Sequence, residues 1–60
     1  MNEQQKAMYD GVNADADELG RLAKQYEEIS EHLSNRYYTA ASQIRRAALV
    51  YKEGCNEGAT

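Results

Sequence analysis

The groups able to act as a nucleophile or a metal ligand are few: one thiol, Cys55, and one imidazole, His32. A nucleophile needs a base within hydrogen-bond reach to activate it. A helical segment separates these two residues, so they form no such pair. Glu28 and His32 are one helical turn apart and Glu31 is adjacent. A metal also demands a closed coordination shell with supporting second contacts. The sequence offers neither, and His32 reads as a solvated histidine at a helix end. Acidic neighbours such as Glu27 and Glu28 read as a solvated helix face. No phosphate-binding loop or dinucleotide fingerprint is present. The expectation is a protein that is not an enzyme and that needs no cofactor.

Binding chemistry is better represented. The chain has five tyrosines and neither Phe nor Trp. Tyr26, Tyr37 and Tyr51 fall on apolar helical faces, where packing explains them. Tyr9 and Tyr38 fit those faces less well. Tyr9 can stack on a nucleobase, a contact worth about 1–3 kcal/mol. Lys24, Arg45 or Arg46 can meet a phosphate, although each also makes sense as a surface charge. A duplex is a poor fit. Net charge is −3, and duplex binding needs a broad basic surface that the Arg45-Arg46 pair does not supply.

These side chains need elements to hold them. Val12, Leu19, Tyr26 and Leu33 recur every seven residues, and Met8, Leu22 and Ile29 fall three or four away. That spacing draws one apolar stripe along an α-helix. Leu, Ile and Val number only eight in 60 residues, a fraction that invites disorder. Their periodicity and the low net charge argue for order instead. The chain has no Pro, which suits long helices. No apolar run reaches membrane-spanning length, and no signal-peptide layout is visible. A cytoplasmic protein is therefore expected.

Breaks are expected at two places. Gly11-Val12-Asn13 separates an N-terminal arm or short helix, 1–11, from a main helix over 13–33. Gly20 inside that helix suggests the close approach of another backbone. Ser34-Asn35 then starts a second helix over 35–53, which ends at Gly54. A flexible tail, 54–60, carries Cys55 as a free thiol. The second helix has an alanine-rich face: Tyr37, Ala40, Ala41, Ile44, Ala47, Ala48 and Tyr51. Small residues of this kind ask for a bulky face opposite, and Leu19, Leu22, Tyr26 and Ile29 supply one. Leu49 and Val50 point elsewhere, as a second apolar surface. Residues 1–33 carry net charge −5 and residues 34–60 carry +2. Opposite signs favour pairing of the two segments, although each exposed ion pair adds only about 0–1 kcal/mol.

The fold expected is all-α: a single domain over 1–60, an antiparallel helical hairpin with a short N-terminal helix. Sixty residues bury a marginal core without a disulfide, a metal or oligomerisation. One cysteine makes no internal disulfide. A homo-oligomer is the remaining device.

One stretch suggests a family. Residues 34–49 include Ala40, Ser42, Ile44, Arg45, Arg46 and Ala47. They resemble the second hairpin helix of phage anti-CBASS sponge proteins, which sequester cyclic nucleotides and share a hairpin with anti-Thoeris sponges. Tyr9, the Val12-Asn13 segment after it, and Lys24 are similar to that family's N-terminal tyrosine and the lysine about two heptads later. The resemblance implies a helical homo-oligomer, a hexamer, holding cyclic di- or trinucleotides between subunits. It implies sequestration without catalysis, blunting anti-phage immune signalling in a host bacterial cytoplasm. Tyr9 would stack on a base, Lys24 would meet phosphate, and Arg36 or Arg45 would complete a second basic site. A different reading stands beside it: an oligomeric helical-bundle module that inhibits or adapts a host protein, with Leu49 and Val50 as contact residues.

Overall fold

Small residues decide how this chain folds back on itself. Ala16 and Ala23 are seven apart, as are Ser34, Ala41 and Ala48. In the computed structural model these five are the fully buried residues among those described, none more than 2% exposed. The structure describes residues 1–58, with side chains through residue 56. Helix α1 spans Glu3–Tyr26 and α2 spans Glu31–Gly58, joined by a short turn. No strand occurs among the described residues, so the fold is an all-α helical hairpin.

Each helix start has a local cause. Asn2 caps α1: its side chain accepts the Gln5 backbone N–H at 2.7 Å, and the Gln5 side chain accepts the Asn2 N–H at 3.0 Å. That reciprocal pair satisfies two donors at the helix end. Ser30 caps α2. Its hydroxyl accepts the Leu33 N–H at 3.2 Å and its carbonyl accepts the Ser34 N–H at 3.0 Å. The chain between is held by N–H groups of Ile29 and Ser30, both donating to the Tyr26 carbonyl at 2.9 Å.

The seam is alanine against alanine. A heptad spacing keeps such a stripe on one line as two helices wind around each other. Without bulky side chains between them the backbones come close. The Ser34 hydroxyl shows this directly: it crosses the seam and donates to the Ala23 carbonyl at 2.6 Å. Ala23 lies in the last turn of α1, where carbonyls run short of helical donors. Buried methyl groups are weak glue, about 0.8 kcal/mol each. The larger apolar residues sit beside the seam and only half-buried: Val12, Leu19, Leu22 and Tyr26 from α1, Tyr37, Ile44 and Tyr51 from α2.

Five sequence expectations change. First, α1 runs unbroken through Gly11-Val12-Asn13. One glycine costs a helix about 1 kcal/mol, which packing against α2 outweighs. Second, the turn lies at residues 27–30 and not at Ser34-Asn35. Ser34 is a small residue for the seam, and Ser30 does the capping. Third, α2 continues through Gly54 to Gly58, so residues 54–58 are helical. Ala59 and Thr60, the rest of the expected tail, lie outside the described residues. Fourth, the large stripe is not the seam: Leu33 is 39% exposed, Met8 56% and Ile29 76%. Fifth, Gly20 is no close-approach site within the chain, since a Cβ there would meet nothing within 4 Å. Leu49 and Val50 do stand outside the seam, both exposed.

Candidate ligand-binding residues

The antiparallel hairpin sets which side chains meet across the seam. On one side, Tyr26 and Tyr37 touch edge-on, ring centroids 5.1 Å apart and planes at 61°. On the other side, Arg45 pairs with Asp17 across the two helices. The helical period groups the rest with these two pairs. Val12, Leu19, Leu22, Ile44 and Tyr51 share the tyrosine side. Lys24 and Ser42 share the charged side. The tyrosine side therefore carries most of the larger apolar residues, with Asp15 among them, and the other side is the more polar, with Leu49 beside Ser42.

Tyr9 is half-buried near the open end of the hairpin. Lys52 reaches over it from α2, with Nζ 5.6 Å from the ring centroid. This is a cation–π contact within the distance at which the ring quadrupole attracts a cation. Lys24 lies in the last turn of α1, exposed, where a cation favours the negative end of the helix dipole. Arg36 is exposed on α2 near the turn. Arg45 is engaged by Asp17, midway along the hairpin.

One chain does not gather these residues. Tyr9 and Lys24 share a helix, fifteen positions or about 22 Å apart. Lys24 and Arg36 are near the turn and Tyr9 is at the other end. Sequence reasoning missed Lys52. The signal was the turn: with the chain reversing at residues 27–30, position 9 falls opposite the low fifties. A reversal at 34–35 would have placed Tyr9 opposite the C-terminus instead.

The surroundings of two tyrosines favour their neutral form. Partial desolvation raises the Tyr38 hydroxyl above its usual 10.0, helped by the charge of Glu27 and a long hydrogen bond to it at 3.5 Å. The Tyr51 hydroxyl is also raised, first by its hydrogen bond with Cys55, then by desolvation and by electrostatic repulsion from the Cys55 sulfur. Both tyrosines are neutral phenols at pH 7. Cys55 is a free thiol, half-buried on α2. Among the described residues, no group of three or more His, Cys, Asp and Glu side chains is placed to hold a metal ion. No described helix is long and apolar enough to cross a membrane.

No family model, curated protein or solved structure matches the chain. What it can do chemically is therefore read from its own residues. It offers an aromatic ring beside an ammonium group on a polar side, and a broad apolar face opposite.

Proposed function

We propose that the protein is a non-enzymatic binder that sequesters cyclic oligonucleotide messengers, antagonising anti-phage immune signalling in a host bacterial cytoplasm. The observation that supports this most is the pairing of Tyr9 with Lys52. A nucleobase needs a π-face and a phosphodiester needs a cation, and here both lie within one small patch. Because Tyr9 lies far from Lys24 and Arg36 along the hairpin, one protomer offers only part of a site. A second copy would supply Lys24, Arg36 or Arg45 from its own surface, so the reading includes a homo-oligomer.

Isothermal calorimetry of the full chain with a panel of cyclic di- and trinucleotides tests the proposal. Tight binding is expected, and Tyr9→Ala should weaken it by about 5- to 150-fold, the value of one lost stack. Lys52→Gln should weaken it as well. No heat with any of the panel, at concentrations where the assembly is intact, would reject the reading.

A second reading has its own support in the open apolar face. It casts the protein as an oligomeric helical-bundle module that inhibits or adapts a host protein. Binding to a specific purified host protein, with no nucleotide response, would favour it.

A further inference from the structure

The hairpin is a single layer. Its principal extents are 47 × 16 × 8 Å, and its radius of gyration is 14.0 Å against about 10 Å for a compact chain of this length. Stable domains bury an apolar layer against a second layer. This chain has apolar residues for two layers and supplies one.

We propose that a second copy of the chain covers the apolar face, forming a two-fold symmetric four-helix bundle. The inference shares with the reading above only self-assembly, and through a different face: the bundle leaves the Tyr9–Lys52 patch facing outward, where contact with a further copy would complete the nucleotide site.

Area is the first argument. The chain exposes 4682 Å². A compact monomer of 6.8 kDa exposes about 4,000 Å². The excess of about 700 Å² is close to the ~800 Å² that each partner contributes to an interface of standard size.

Shape is the second. The α1 edge of this face is bulky at Met8 and Leu22, with the exposed Asp15 between them on the same seven-residue line. The α2 edge is small along its middle, with Ala40 half-buried and Ala47 exposed, and bulky only at Leu33 near the turn. A two-fold axis presents the same patch from both sides. It can set α1 of each copy against α2 of the other, so bulk meets small residues twice. Charge is the third argument: the acidic first segment of one copy then neighbours the basic second segment of its partner.

The test uses the whole protein. Sedimentation equilibrium should give a mass near twice that of one chain, and tenfold dilution should lower the melting midpoint. Ala47→Glu is the decisive variant. Residue 47 is exposed in the single hairpin, so the substitution creates no clash within one chain. In the bundle it buries a carboxylate at the interface, and the dimer dissociation constant should rise at least about 100-fold. Ser42→Glu, on the polar side, should leave association unchanged. A folded monomer at about 100 µM, with melting indifferent to dilution, overturns the proposal. So does an oligomer equally stable with Ala47→Glu. An intact dimer that binds no cyclic nucleotide would instead count against the ligand alone.

Discussion

Gly20→Ala separates what one chain contributes from what a neighbour contributes. Gly20 lies inside α1, and no described residue has a left-handed backbone conformation. An alanine there is unstrained, and its added Cβ meets nothing within 4 Å. The expected gain is the helix-propensity difference, about 1 kcal/mol, drawn largely from the lost freedom of the unfolded chain. Unfolding entropy of about 2.1 cal/mol/K per residue converts that into a rise of about 8 °C in Tm for a chain of this length. Thermal melts followed by circular dichroism would read it, at matched chain concentration because any association would make Tm depend on dilution. Gly20 lies towards the polar side of the seam. A bundle assembled through the apolar face leaves it open and keeps the gain. A fall in Tm would mean that another molecule lies against Gly20, and the reasoning that assigns the docking face would fail with it.

Two further outcomes follow from the seam and from the turn. Ala41→Leu adds apolar bulk to a position only 2% exposed, and overpacking should destabilise the fold by about 1–3 kcal/mol, read by urea unfolding. A neutral or stabilised variant would mean the helices are not closely apposed there. Near the turn, Glu27→Gln should lower the Tyr38 titration midpoint towards 10.0 without reaching it, because desolvation, the larger cause, remains. Since the folded value is raised, the neutral phenol's contribution to stability is complete below the ordinary tyrosine value and is lost as pH climbs through the folded one. Ring-carbon NMR of the tyrosines would follow both midpoints.

The helices were legible because their apolar residues repeat at helical spacing and the chain has no Pro. The antiparallel hairpin was legible because two such segments of opposite charge are joined by a short connection. The turn was not. Ser30 and Ser34 are equally good caps by residue type. What distinguishes them is tertiary: Ser34 fits a seam too narrow for larger side chains, and its hydroxyl finds the Ala23 carbonyl. Gly11-Val12-Asn13 misled for a related reason, since a local glycine penalty of about 1 kcal/mol is small beside the packing of a 24-residue helix. The candidate site was legible only in its parts. Tyr9 stands out by type and position, but Lys52 is visible beside it only after the turn is placed.

The heptad of large residues and the heptad of alanines compete for the same role, and the outcome shapes the molecule. Large side chains in the seam would have held the helices apart and consumed the apolar surface inside one hairpin. Alanines in the seam bring the backbones together and leave Val12, Leu19, Tyr26, Tyr37, Ile44 and Tyr51 beside it, each half-buried. The first arrangement suits a hairpin that stands alone. The second suits a half-structure, whose weak internal seam fixes the register of two helices while its stronger apolar surface faces outward. Four buried methyl groups contribute about 3 kcal/mol, far less than the cost of ordering two long helices. The half-buried residues beside the seam add to this within one chain; if the proposed second copy covers the apolar face, it adds more, and folding and association should then be a single transition. If helicity persists on dilution after the assembly has come apart, the alanine seam is stronger than this accounting allows.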